Sequence, residues 1–234
     1  MNTGPLRLFS IAVFFLGVII GIALSAIILW NMVEATRYYF TGAKYDQFHG
    51  LQCPVMIGPT EQAVVTAVFN NPTNEEDNYF YRAEISGKAF STRQVEDKIM
   101  VPPHQTKTVQ LAVDANDVDL MFFILVKMSI LPNSVHRSQE AVCGIMMINI
   151  LGLTGAQIFG TALSLSFLGI ALGLGVWQQT GTKTDQDIRR ATQTLGLAVL
   201  LTMFAASMGW WIVGMALSAI TILLLVISLR LAIE

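Results

Sequence analysis

Few side chains in this sequence could do chemistry, and two of them are cysteines: Cys53 in "HGLQCPVMIG" and Cys143 in "EAVCGIMMINI". They could form a disulfide, which persists in oxidising compartments. Unpaired, they would be two buried thiols behaving as small hydrophobes. A bond between them would close a loop of about 90 residues, stabilising the fold by on the order of 4 to 5 kcal/mol in the chain-entropy account. The three histidines, His49, His104 and His136, are scattered and form no metal-ligand pattern. Glu75, Glu76 and Asp77 cluster, and their setting reads as a solvated turn, with calcium binding as the minority reading. There is no Gly-Lys-Ser/Thr phosphate loop, no Gly-x-Ser-x-Gly elbow and no His-Glu-x-x-His. We expect no catalytic, cofactor or metal residue, and a protein that is not an enzyme.

The elements that would position the cysteines are set by the membrane. The chain is 53% hydrophobic and 13% charged, and its mean hydropathy of +0.57 is that of a membrane protein. A net charge of −2 argues against nucleic acid as a partner. Leu8 to Val33, Ala141 to Thr182 and Ala191 to Leu229 contain no Asp, Glu, Lys or Arg. A crossing helix needs roughly 20 apolar residues. Leu8–Trp30 supplies one span, with a core too long for a signal peptide. Ala156–Trp177 supplies the second, after the break "GLTG". The third stretch suits two shorter spans around a turn in "MGWWIVG" (Met208–Gly214). The expected division is a cytoplasmic N-terminus with span one (1–33), an extracytoplasmic domain (34–152), span two (153–178), a cytoplasmic loop (179–193), and spans three and four with a short cytoplasmic C-terminus (194–234).

Orientation follows from Lys and Arg in short loops. Arg7, Lys183, Arg189, Arg190 and Arg230 all fall on one side of a four-span arrangement, which makes that side cytoplasmic. Trp30, Trp177, Trp210 and Trp211 fall at span ends, where amphipathic rings settle. No ionisable group lies within a span, which disfavours a self-contained pump or coupled transporter. The outside domain has no usable Asn-x-Ser/Thr site, since Asn71-Pro72-Thr73 fails at proline. We therefore expect a multi-pass protein of the plasma membrane, a bacterial inner membrane.

The outside segment reads as strands. Tyr79, Tyr81, Ala83 and Ile85 alternate with Phe80, Arg82 and Glu84, and Val109, Leu111 and Val113 form a second alternating row. Six or seven short strands separated by turn residues predict an antiparallel sandwich. The Asn-Pro-Thr turn, the acidic turn, the Tyr-x-Tyr strand and the run Val101-Pro102-Pro103 to Val113 resemble immunoglobulin-like and fibronectin-like modules. That resemblance implies an all-β sandwich used for binding or scaffolding. Both cysteines would then lie outside, joining the first strand to the last.

The remaining signals are contact surfaces. Gly17, Gly21 and Ser25 share a face of span one; Gly160, Ser164, Gly169 and Gly173 recur in span two; Gly214 and Ser218 do so in span four. Small residues let helix backbones approach in lipid. In the run Leu120–Leu131, Leu120, Phe122, Ile124, Val126 and Met128 would fill the core. Met121, Phe123, Leu125 and Leu131 would form an outward strip for a partner. These features together predict a non-catalytic accessory or scaffold subunit of a larger integral membrane complex. Its partners would be other membrane subunits, the lipid bilayer and an extracytoplasmic protein. The alternatives are a membrane-anchored receptor or adhesion module, and a channel or transporter component.

Overall fold

The computed structural model describes residues 4–40, 45–119, 121–132, 137–180 and 186–233. Its four helices are α1 (Gly4–Tyr38), α2 (Gly155–Thr180), α3 (Gln186–Ser207) and α4 (Trp211–Ile233). Three are long and apolar enough to cross a membrane, through Leu8–Tyr38, Gly155–Trp177 and Trp211–Ser228. α3 falls short of that hydropathy because its first three turns carry Asp187, Arg189, Arg190, Thr192, Gln193 and Thr194. α1 runs two turns past the expected end at Trp30 and, at 35 residues, is roughly 52 Å long. The chain divides into two compact units, Met1–Leu29 with Phe159–Glu234, and Trp30–Ile158.

In the helical unit the small residues are used for close packing. A Cβ on Gly17 would lie 2.8 Å from the Ile170 nitrogen and 2.9 Å from the Ser166 carbonyl oxygen, and one on Gly173 would lie 2.7 Å from the Phe14 Cα. α1 and α2 can therefore touch backbone to backbone only because both faces lack side chains. Ser166 Oγ donates to the Gly17 carbonyl at 2.9 Å, so this crossing is also hydrogen-bonded. Thr202 and Thr221 join α3 to α4 at 3.1 Å.

Among its described residues the second unit carries nine strands: β1 (Asp46–Gln47), β2 (Leu51–Gln52), β3 (Met56–Ile57), β4 (Ala63–Asn70), β5 (Asp77–Gly87), β6 (Ser91–Val101), β7 (Thr106–Val113), β8 (Phe123–Ile130) and β9 (Gln139–Met147). One sheet runs β1-β9-β8-β5-β6 with β3 also on β9; the other runs β2-β4-β7. β1 and β3 pair with β9 in parallel, so the larger sheet is mixed, where purely antiparallel pairing was expected. The two short parallel pairings arise because the chain passes along β9 twice, at β1 and again at β3, with β2 pairing antiparallel in the smaller sheet between the two passes.

Both sheets contribute to one core. Val65 and Phe69 of β4 and Leu111 of β7 meet Tyr81 and Ile85 of β5 and Ile124 and Met128 of β8. Phe69 is its aromatic centre, with ring centroids 5.3 Å from Phe48 and Tyr79 and 5.7 Å from Tyr81. The turn between β4 and β5 is organised by buried Asn71, whose Oδ1 accepts from the Thr73 backbone N–H at 2.9 Å and whose amide donates to the Val101 carbonyl at 2.9 Å. The acidic cluster splits here: Glu75 and Glu76 are exposed, while Asp77 is buried at the start of β5. β6 was not foreseen. As an edge strand exposed along most of its length, it fully buries only Val101 and packs Val95 and Ile99 partly against the core, too sparse a row to stand out as an apolar alternation.

Two outcomes follow. Gly17→Leu should destabilise the protein by about 1–3 kcal/mol through overpacking, whereas Gly160→Leu should be neutral because nothing lies within 4 Å of a Cβ there; thermal unfolding in detergent measures both. Tyr79 donates to the Asn70 carbonyl at 3.0 Å, and burial, reinforced by neighbouring Asp77, pushes its pKa up to about 12. The neutral phenol is the form the fold favours, so its contribution is full below the ordinary value of about 10 and is lost as pH rises from there through about 12. Tyr79→Phe should flatten the alkaline limb of the stability profile relative to wild type.

Candidate functional site

Polar side-chain contacts are concentrated where the ends of α1 and α2 meet strands, inside the unit Trp30–Ile158. All eight residues of β8 are buried, so this strand needs cover on both faces. The β2-β4-β7 sheet covers one face. The C-terminal turns of α1 cover part of the other: Ala35 packs on Phe123 and Leu125, flanked by Tyr38, Tyr39, Val142 and Met146. The proposed outward strip is corrected on this point. Phe123 and Leu125 are enclosed by the chain's own helix, Leu131 is half-buried, and only Met121 is exposed. Leu120 lies outside the described residues.

Polar groups fix the helix to the sheet. Asn31 Nδ2 donates to the Val55 carbonyl at 2.9 Å, and the Asn31 backbone lies so close to β9 that a Cβ on Gly144 would run into its carbonyl. Tyr38 Oη donates to Asp119 Oδ2 at 3.1 Å. Tyr39 Oη sits between the carbonyls of Glu84 and Leu125, at 3.1 and 3.0 Å. Burial, then Tyr38, Glu84 and Asp119 nearby, raises the Tyr39 pKa, so the hydroxyl stays a donor. Farther along β8, Lys127 is buried against Glu140 at 2.9 Å, and Ser129 Oγ donates to the same carboxylate oxygen at 3.3 Å.

The start of α2 is held separately. Gln157 N–H donates to Thr154 Oγ1 at 3.2 Å and Thr154 N–H to Gln157 Oε1 at 3.0 Å, a reciprocal capping box. Glu61 Oε2 accepts from Gly58 N–H at 2.8 Å and Gly155 N–H at 2.6 Å. A carboxylate at a helix N-terminus complements the unpaired amides and the helix dipole. Gly155 abuts Met56 so closely that a Cβ would meet the Met56 carbonyl.

The Cys53–Cys143 disulfide is present, with Cα atoms 6.5 Å apart. Cys53 lies between β2 and β3 rather than on the first strand. The bridge therefore pins the chain to β9 where it passes from the smaller sheet to the larger one. Both cysteines pack against the core.

Of the small residues singled out in sequence, Gly17, Gly21, Gly169 and Gly173 meet neighbours within the helical unit, and Gly214 approaches Leu29. Ser25 donates to the Gly21 carbonyl, and Ser218 is half-buried on α4. Gly160 faces open space, and Ser164 lines an apolar groove of about 490 Å³ with Leu24, Ile28 and Phe204. A second cavity, about 430 Å³, is lined by Phe48, His49, Gln52, Asn70 and Gln139. His104 is exposed and bonded to Asn74; His136 lies outside the described residues. Among the described residues no group of three His, Cys, Asp or Glu is placed to hold a metal ion. Asn31, Tyr38, Tyr39, Glu61 and Gly144 were not singled out in sequence. The one signal was a polar Asn and a Tyr-Tyr pair continuing a helix beyond its apolar run. Neither the protein-family models nor the curated proteins contain a match to this chain.

Replacing Cys53 and Cys143 together with alanine should lower stability by on the order of 2–5 kcal/mol in denaturant unfolding. Non-reducing peptide mass spectrometry should recover the linked peptides, and free thiols at these two positions would contradict the bridge.

Proposed function

We propose that this protein is a non-catalytic accessory or scaffold subunit of a larger integral membrane assembly. In this reading four helices cross the membrane, and an immunoglobulin-like sandwich is inserted between the first two. The observation that carries the proposal is the continuity of α1, which passes from an apolar span into the turns that cover β8 with no linker between. A helix that carries a long apolar stretch and also packs its last turns on a strand suits a part that holds other parts in place. The four-span reading is supported by the short turn after Ser207: if α4 crosses, α3 must return alongside it, and Thr202–Thr221 joins the two. Residues 191–207 of α3 carry no charge. With four spans, Arg7, Lys183, Arg189, Arg190 and Arg230 place both termini in the cytoplasm, and the sandwich lies outside, in keeping with its disulfide. The bacterial inner membrane remains our reading of the compartment.

The receptor or adhesion alternative is favoured by the cavity beside Phe48 and His49, which is large enough for a small ligand. The channel alternative has less support, because Ser166, Thr202 and Thr221 are committed to hydrogen bonds between helices.

The chain extracted in mild detergent should migrate as a stoichiometric complex with other membrane subunits, and a photo-crosslinker at Leu172, exposed on α2, should capture one of them. A clean monomer that captures nothing would overturn the proposal. Saturable binding of a soluble ligand at the Phe48 cavity by that monomer would establish the receptor reading instead.

A further inference from the structure

Four described non-glycine residues have positive φ: Ala89, His104, Met121 and Leu151. Two of these, Leu151 and Met121, are large and apolar, and they are also the most exposed large hydrophobics among the described residues, at 95% and 89%. A bulky side chain in the left-handed region is an outlier. Glycine would relieve the backbone at either position, yet each keeps an apolar side chain projecting from the fold.

The two tips belong to one end of the domain. The Met147 N–H donates to the Phe122 carbonyl at 2.7 Å, which places the Met121–Phe122 turn beside the end of β9. Three residues on, Ile150–Leu153 closes a turn through Leu153 N–H to the Ile150 carbonyl at 2.9 Å, with Leu151 and Gly152 at φ of 51° and 69°. Upstream, this turn is anchored by Ile148 N–H to the Ile57 carbonyl at 2.9 Å. Ile150, Leu153 and Phe122 are also exposed, at 43%, 37% and 40%.

Leu151 precedes Gly155, the first residue of α2, by four positions. The chain can therefore carry it at most about 14 Å from the start of that span. Headgroup and interfacial layers extend several ångström beyond the hydrocarbon on each side. The stretch from Ala141 through α2 carries no charge of its own, and the carboxylate at the start of α2, Glu61, already accepts from the Gly58 and Gly155 amides, which lowers the cost of bringing it near that layer.

We propose that the Ile150–Leu153 turn, with Met121–Phe122 beside it, is seated in the interfacial region of the leaflet that faces the β-domain, where phospholipid acyl chains take up Leu151 and Met121. Interfacial binding of this kind scales with the apolar area presented. The strained backbone is kept because it aims the two side chains at lipid. The proposal rests on α2 crossing the bilayer and is independent of any assembly partner.

The test uses the purified full chain in phosphatidylcholine vesicles. Both native cysteines are paired, so single-cysteine variants can be labelled with an environment-sensitive fluorophore at Leu151→Cys, Met121→Cys, Leu168→Cys on the exposed face of α2, and Lys107→Cys on exposed β7. Probes at 151 and 121 should be quenched by lipid carrying a shallow nitroxide and shielded from aqueous iodide. The probe at 107 should behave in the opposite way. If 168 is quenched by a deep nitroxide while 151 and 121 match 107, the span stands and the proposal is overturned. If 168 is not quenched, the span reading fails and takes the proposal with it. Shielding from iodide without lipid quenching would mean that copies of the chain cover the tips, which also overturns it. Leu151→Gly should keep or raise the melting temperature in detergent; a large drop would mean that Leu151 serves the domain's own packing and would overturn the proposal.

Discussion

β8 lies inside the larger sheet with every residue from Phe123 to Ile130 buried, and much of the second unit is arranged to cover its two faces. One face is met by the smaller sheet through Phe69 and its aromatic neighbours. The other receives the end of α1, then the Lys127–Glu140 pair. A strand with apolar side chains on both faces is unstable as the outer layer of a two-layer domain, because one face would remain in water. The helix is thus a third layer over part of the sheet as well as one of the three helices long and apolar enough to cross a membrane.

That layer dictates details elsewhere. A helix can rest directly on β9 only where a strand residue has no side chain, and Gly144 supplies the gap for Asn31. Hydroxyls at the helix end take up groups that packing would otherwise strand: Tyr38 reaches Asp119, and Tyr39 reaches two carbonyls of neighbouring strands. At the other exit, Glu61 and the Thr154–Gln157 box satisfy the amides that open α2. The disulfide secures the crossover between β2 and β3, strands of only two residues each that have little pairing of their own.

The helical unit follows a different physics. Lipid gives helices no hydrophobic reason to associate, so contact depends on close backbone approach and a few hydrogen bonds. Gly17 against Gly169 and Ser166, and Gly173 against Phe14, meet that need within one chain. What remains for other molecules is the open face of α2 around Gly160 and the exposed aliphatic surface of α4. The reading of the protein as a subunit therefore leans on the surfaces left over after the chain has packed itself.

Sequence alone determined the broad plan: apolar stretches long enough to cross a bilayer, a strand-rich segment between the first two, a turn within Met208–Gly214, and Tyr79 to Ile85 as an inward-facing row. Those features rest on composition and on periods of 2 and 3.6, which local sequence records directly. The pairing of Cys53 with Cys143 was legible as a possibility because only two cysteines exist. Tertiary structure alone decided the rest. The outward strip of β8 became an interior face because a helix more than 80 residues upstream, ending at Tyr38, folds over it. β6 had no apolar alternation to betray it, because an edge strand is defined by its neighbour β5 rather than by its own burial. The small residues in the spans could have faced partners or one another, and spacing is the same in both cases. Only the close approach of α1 and α2 showed which, since contact between distant segments is a property of the folded backbone and leaves no period in the chain.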